Sequence, residues 1–312
     1  MISVGLDVGG TNTKIAVLND KYKILKNIKI PTPLSNGYDF FIKELAKIAV
    51  SISREYPQKR ISVCIGIAGD VDSDRGILRY APNLCGWKNK NIKKDFERIS
   101  GFKCLVENDA NMASWGIYVF EVKRKVKNMT VFTLGTGVGG GIITNGSLYR
   151  GSSSTAGEIG HMIIKEGGEK CNCGNYGCLE AYCGTYALIR EVQRRIKNTD
   201  SYFKKYGFEK GNITPKIIFE SAEKGDKICL EIWKDYGYRL GSGIGNIAVL
   251  LNPEITVLAG GVSRAHKFFM PFVKKRLSEY GIKTPINKMK ILISNNEDIG
   301  VLGCASFALD NK

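Results

Sequence analysis

Apolar positions along the chain change their spacing repeatedly, and each change marks an element. Residues 2–6 form a short apolar run that predicts a buried strand. Gly9-Gly10-Thr11-Asn12 supplies turn residues, and residues 14–18 predict the returning strand of a hairpin. Over residues 38–56 the spacing becomes helical, with Phe41, Leu45, Ile48, Ala49 and Ile52 on one face. Residues 61–67 are apolar almost throughout and lead to Gly69, as a strand covered on both faces would. A helix is expected over residues 92–100, a short strand over 103–107, and a helix from Asp109 through Trp115.

The opening layout returns in mid-chain. A strand over 131–134, the turn Gly135-Thr136-Gly137-Val138-Gly139-Gly140 and a strand over 141–144 repeat the pattern of residues 6–17. Helices follow over 185–197 and 227–251, then a strand over 255–258 that ends at Gly260-Gly261. This order predicts two α/β halves built on one plan, with their glycine turns facing each other across a cleft. The expected division is a small domain over 1–117, a large domain over 118–298, and a helix over 299–312 packing back on the small domain.

Composition narrows the function classes. A length of 312 residues suits two domains at roughly 150 residues each. Hydrophobic residues at 43% and charged residues at 24% exclude a disordered chain. The net charge of +16 raises the question of nucleic acid. Its basic residues are scattered, however, as Lys21, Lys23, Lys26 and Lys29, then 123–127, then 274–276, and no run interleaves them with aromatics as a single-strand binder does. A solvated surface is expected, with no nucleic acid as partner. The longest uncharged stretch, residues 128–149, holds six glycines and suits strand, turn and strand better than a membrane span. No basic segment precedes Asp7, so a secretory signal is not expected. Nine cysteines, an odd number, argue for reduced thiols in a cytoplasm rather than a disulfide framework.

Three segments carry candidate chemistry. In Asp7-Val8-Gly9-Gly10-Thr11-Asn12-Thr13-Lys14 the glycines let backbone N–H groups approach an anion, Thr11 and Asn12 add donors, and Asp7 is placed to hold magnesium directly or through water. The segment is neither a Walker A loop nor a dinucleotide fingerprint. The turn at Thr136-Gly137 offers the same donors, so the pair suits a nucleotide; two ordinary hairpins are the alternative. Asp109, where a strand gives way to a helix, is placed to take a proton from a hydroxyl attacking a phosphoryl group, or simply to cap the helix. Cys171-Asn-Cys173-Gly-Asn-Tyr-Gly-Cys178 supplies three thiolates, and His161 or Cys183 would complete a four-ligand structural zinc site.

Together these segments resemble the ROK family (repressors, open reading frames, kinases), and within it the bacterial glucokinase group. The resemblance rests on Asp7 through Lys14, Pro82-Asn83-Leu84 with Trp87, Glu107-Asn-Asp-Ala-Asn111, Leu134 through Gly141, Ala156-Gly-Glu-Ile-Gly-His161, the block from Cys171 to Glu180, and Leu258-Ala-Gly-Gly-Val262, in family order over nearly the whole chain. It implies a two-domain actin-like ATPase (ribonuclease H-like) fold and ATP-dependent phosphorylation of glucose, or another hexose, at the 6-hydroxyl. Asp109 would be the base. Gly69, Asn83, Asn108, Asp109 itself, Glu158, His161 and Glu180 would hold the sugar. Asp7, Gly9, Gly10, Thr11, Asn12, Lys14, Thr136 and Gly137 would serve the phosphates and Mg²⁺, and Gly260 and Gly261 the adenosine. The family also favours His161 over Cys183 as fourth zinc ligand beside Cys171, Cys173 and Cys178. Glu158 and His161 would share one face of a helical turn, with one imidazole nitrogen on Zn²⁺ and the other on the sugar.

The resemblance further implies a cytoplasmic homodimer or homotetramer in glycolysis, with no membrane partner. Ala68, where many relatives have proline, and Cys85, where proline is frequent, depart from the pattern and leave the choice of sugar open. An N-acetylmannosamine or N-acetylglucosamine kinase or a fructokinase is the alternative within the family. A sugar-responsive repressor is the alternative from another class. Family repressors place a helix-turn-helix domain of several tens of residues before the first glycine loop; here that loop begins at Asp7, so a kinase is expected.

Overall fold

The computed structural model describes residues 1–81, 84–196 and 213–311, and the chain forms two compact units. Unit 1 comprises Met1–Lys127, Gly141–Gly157 and Asn296–Lys312; unit 2 comprises Asn128–Gly140 and Glu158–Asn295. Residues 118–127 and 141–157, read from sequence as part of the large domain, therefore belong with unit 1. Ion pairing is one physical reason: Arg150 reaches back across 43 residues to the buried carboxylate of Glu107.

In unit 1 the strands β1 (Ile2–Val8), β2 (Asn12–Asn19), β3 (Ile24–Pro31), β4 (Ile61–Ile67) and β8 (Cys104–Asn108) form a sheet of order β3-β2-β1-β4-β8. The β1–β2 pair is the expected antiparallel hairpin, and β4 runs parallel to both β1 and β8. Period-two geometry splits the residues of β1 between two layers. Val4, Leu6 and Val8 meet Phe41 and Leu45 of α1 (Gly37–Glu55) and Phe96 of α2 (Ile92–Ser100) in one core. On the other face lies α10 (Ile299–Asp310), apolar all round, whose Val301, Leu302 and Ala305 pack on Ala16 and Leu18. That helix sits so close that a Cβ on Gly5 would come within 2.5 Å of the Val301 carbonyl, which is why β1 has a glycine at its centre.

Between β4 and α2 the chain forms an antiparallel meander that the apolar pattern does not announce: β5 (Asp70–Asp72), β6 (Ile77–Ala81) and β7 (Trp87–Asn91). Helix α3 (Asp109–Gly116) follows β8 directly.

Unit 2 is built on β9 (Met129–Leu134), β12 (Ile255–Ala259) and β13 (Lys290–Ile293), all parallel. Strand β10 (Val138–Thr144) carries the chain out of the unit and β11 (Ser147–Leu148) follows, giving the sheet order β11-β10-β9-β12-β13. Its helices are α4 (Glu180–Cys183), α5 (Thr185–Arg195), α6 (Pro215–Glu223), α7 (Lys227–Leu251), α8 (His266–Ser278) and α9 (Lys283–Lys288). The expected helix over 185–197 thus ends at Arg195, and Lys197 lies outside the described residues. Helix α7 is defined at both ends: Asp226 accepts from Cys229 N at 2.9 Å, and Asn252 stops it in the left-handed region. Trp233, Tyr236 and Leu240 of α7 pack on Phe269 and Val273 of α8 in the core of unit 2.

Candidate active site and metal centre

At the open end of the unit 1 sheet, Asp7 and Lys14 face each other as cross-strand partners. The turn between them is closed by Gly9 N donating to Asn12 O at 3.0 Å, and Thr32 supports it from β3's end, its hydroxyl donating to Gly9 O at 2.7 Å. Gly10 and Thr11 are exposed at the tip. Lys14, expected at the phosphates, is held by the Asp298 carboxylate at 3.0 Å and by the Glu297 carbonyl. The Asp7 carboxyl lies against the first turn of α10, where a Cβ on Gly300 would be 2.7 Å from its Oδ2. Burial, then the negative charge of Asp109, pushes Asp7 up to about 7, with Asp298 adding and Lys14 opposing. A desolvated carboxyl among other carboxylates is a donor set that suits a hard divalent cation.

The β8–α3 junction settles the role of Asp109 in the helix. The N-cap is Asn108: its Oδ1 accepts from Ala110 N at 2.8 Å and Asn111 N at 3.1 Å, while its Nδ2 donates to Gly69 O at 3.1 Å. Capping therefore does not occupy Asp109, which sits half-buried at the first helical position and accepts from Ala110 N at 2.9 Å. Burial raises its pKa above the ordinary carboxylate range, with backbone N–H groups opposing. Asn108 thus uses both acceptor positions of Oδ1 and one of its two amide hydrogens within the protein. Asn83 lies outside the described residues.

In unit 2 the turn at Thr136-Gly137 is held by its own side of the chain. Thr185, first residue of α5, donates its N–H to the carbonyls of Gly135 (3.0 Å) and Thr136 (3.1 Å), and its hydroxyl to Gly135 O at 2.8 Å. Glu180, at the head of α4, accepts from Val138 N at 3.0 Å through Oε2. A Cβ on Gly137 would lie 2.2 Å from that oxygen, so the turn needs glycine to admit the carboxylate. Gly260 and Gly261 follow β12, Gly260 with a left-handed φ of 91°.

The cysteine block gathers His161, Cys171, Cys173 and Cys178, whose ligand atoms all lie within 4.8 Å of one another. Cys171 Sγ is 3.7 Å from His161 Nδ1, and Cys173 Sγ is 3.7 Å from Cys178 Sγ. A tetrahedral zinc with Zn–S near 2.3 Å separates its sulfurs by about 3.8 Å, so the donors fit that ion. Cys183 is not among them: it is fully buried in α4, with its thiol 4.0 Å from Tyr236 O. Residues Ile159–His161 form a 3₁₀ turn rather than an α-helical one, and His161 Nε2 faces Glu158 Oε2 at 3.9 Å. One ring nitrogen thus faces the thiols and the other faces away from them. Glu180 Oε1 stands 3.7 Å from Cys171 Sγ, and Tyr186 donates its hydroxyl to the same sulfur at 3.8 Å.

Of the expected residues in unit 1, Asp7, Gly9, Gly10, Thr11, Asn12 and Lys14 cluster at the hairpin, and Gly69, Asn108 and Asp109 at the β8–α3 junction. In unit 2, Thr136, Gly137 and Glu180 meet, as do Glu158, His161 and the three cysteines. Sequence reasoning gave Glu107 no role of its own and passed over Ser73 and Arg150; a carboxylate closing an apolar strand was the available signal.

A family model described as ROK family matches residues 3–311. The chain is 31% identical over 307 residues to a glucokinase of Thermotoga maritima, covering 97% of this chain and 96% of that protein. To a glucokinase of Halalkalibacterium halodurans it is 33% identical over 306 residues, covering 96% and 92%. The crystal structure of a ROK family glucokinase from Streptomyces griseus, in complex with glucose and AMPPNP, superposes with a TM-score of 0.82 at 28% identity, covering 100% of both chains.

Proposed function

The chain belongs to the ROK family, with the actin-like ATPase fold of its sugar kinases, and on that premise we propose that it transfers the γ-phosphoryl group of ATP to the 6-hydroxyl of glucose. The observation that carries this reading is the division of labour at the β8–α3 junction. Asn108 caps the helix, and Asp109 keeps a desolvated carboxylate for chemistry.

Asp109 accepts the 6-hydroxyl proton as that oxygen attacks the γ-phosphorus; the bond to the β-phosphate oxygen breaks and ADP leaves. Backbone N–H groups at the exposed tip Gly10-Thr11, in the turn that Gly9 and Asn12 close, and at Thr136-Gly137 hold phosphate oxygens, and Gly260-Gly261 holds the adenosine. Magnesium, when bound with ATP, offsets phosphate charge, and Asp7 is the residue that would hold it. Zinc, held by His161 Nδ1 with Cys171, Cys173 and Cys178, would fix the block and the histidine tautomer. With Nδ1 given to the metal, His161 Nε2 would carry the ring proton and donate it in a hydrogen bond to a sugar hydroxyl, with Glu158 as a second contact. Glu180, Asn108, Gly69 and Asn83 complete the reading of the sugar.

A coupled assay with Mg-ATP over glucose, mannose, fructose, N-acetylmannosamine and N-acetylglucosamine should give glucose the highest kcat/KM. Asp109→Asn should still bind glucose while kcat falls by about 10² to 10⁴, the usual span for loss of a general base. Turnover within a few-fold of the parent in that variant would sink the assignment of Asp109.

A further inference from the structure

Directly behind the proposed base lies a buried charge that the mechanism above does not use. Glu107, last residue but one of β8, is fully inaccessible to solvent. Its Oε1 accepts from the Ser73 hydroxyl at 2.7 Å, from Asn108 N at 3.0 Å and from Asn111 Nδ2 at 3.0 Å. Its Oε2 accepts from Arg150 Nε at 2.5 Å. A buried carboxylate is tolerated only when its lone pairs are met and its charge is paired, and here both conditions hold. What the partners have in common is their position. Asn108 is the cap of α3, Asn111 is in its first turn, and Asp109 lies between them. Ser73 comes from the turn between β5 and β6, and Arg150 opens the segment 150–157 that leads along the chain to Glu158.

Further bonds brace the same corner. Arg150 stacks on the Phe307 ring of α10 at 5.2 Å. Arg79 of β6 pairs with Asp70 at 2.9 Å and Asp72 at 3.1 Å and donates to Ser153 O at 3.0 Å, tying the meander to the segment after Arg150.

We propose that Glu107 and Arg150 are positioning residues for the phosphoryl transfer: the buried pair fixes the first turn of α3, and with it the direction of the Asp109 carboxylate. The proposal rests on Asp109 being the base. Its energetic basis is geometric, because a displacement on the order of 1 Å in a catalytic group can cost 10²-fold in rate without weakening substrate binding.

The test is steady-state kinetics on Arg150→Met, Arg150→Lys and the double variant Glu107→Gln/Arg150→Met, each assayed well below its melting temperature. Arg150→Met should lower kcat by about 10- to 100-fold with both KM values within about threefold of the parent. Arg150→Lys, which keeps the charge opposite Glu107, should recover most of that loss. The double variant has no unpaired buried charge, so it should melt higher than Arg150→Met while kcat stays low. Parental kcat in Arg150→Met, recovery of kcat in the double variant, or a loss falling mainly on KM for glucose would each overturn the proposal. If Arg150→Met does not fold, Ser73→Ala gives the same reading: a few-fold drop in kcat at unchanged KM supports positioning, and parental kcat overturns it. An inactive parent, by contrast, defeats the kinase reading; an active parent with insensitive variants defeats only this one.

Discussion

At the β8–α3 junction the capping bonds fall to Asn108, and the carboxylate proposed as the base is its neighbour Asp109. A carboxylate used as a cap is satisfied by backbone N–H groups and becomes a weaker base. Here the amide takes most of that role, and burial leaves Asp109 above the ordinary carboxylate range. The sign of the pH effect follows. The base works only when ionised, so kcat/KM should be level above its pKa and fall as pH drops through it. The midpoint of that acid limb should lie above about 4, the usual aspartate value. A limb at or below 4, measured at saturating Mg-ATP, would contradict the role of burial. Linkage adds a second sign: a folded pKa above the unfolded one gives stability that is lost as pH rises through the folded value. Asp109→Asn, which cannot ionise, should therefore melt higher than the parent at neutral pH although it is nearly inactive. At this scale the sequence marks candidates wherever residue types stand in a fixed local string, as at Asp7, Asp109 and the cysteines. Arg150 was not, because its partner Glu107 lies 43 residues away and nothing local marks the pair.

Among the elements, those with a strong apolar period and defined ends could be read directly. Helix α2 has Asn91 accepting from Lys94 N at 3.0 Å, an apolar face of Ile92 and Phe96, and Gly101 in the left-handed region, and its expected bounds agree with the structure. Strand β3 escaped notice because it is an edge strand rich in lysine, a composition that protects an unpaired edge but hides the alternation. Helix α8 was hidden by Pro271 inside it, and β5–β7 are too short and charged to show a period. The cysteine block was legible as a donor set, with His161 favoured by the resemblance as its fourth member; the fold places His161 Nδ1 beside the thiols and buries Cys183 in the core. One Zn²⁺ per chain should follow protein purified without added metal. Cys173→Ala or His161→Ala should lose or strongly weaken it, because a closed site loses one of four ligands. Cys183→Ala should keep it. Because His161 is assigned to both metal and sugar, Cys173→Ala should raise KM for glucose more than KM for ATP. Elemental analysis showing zinc retained in His161→Ala and lost in Cys183→Ala would reverse the assignment.

Over the whole molecule, neither unit is one continuous stretch of chain. Unit 1 is assembled from three segments and unit 2 from two. Hydrophobic pattern reports elements, and motif order reports a family, but neither shows which segments cohere, so the expected boundary at 117/118 fell short of Lys127 and missed the return of residues 141–157. The proposed ligand contacts are likewise spread along the chain, from Gly69 to Glu180, so a bound sugar should act on the folded molecule as a whole. By mass action a ligand present at about 100 times its Kd stabilises the folded state by about 2.7 kcal/mol, which for a chain of this size is a rise of several degrees in melting temperature. Glucose should produce that rise; sorbitol at equal concentration, which shares its hydroxyls but not its ring, should not. Asp109→Asn should keep the shift, because that substitution removes proton transfer rather than binding. Cys173→Ala should lose most of it through His161. Equal shifts with glucose and sorbitol would mean general solute stabilisation, and a shift abolished by Asp109→Asn would mean that the carboxylate holds the sugar rather than acting on it.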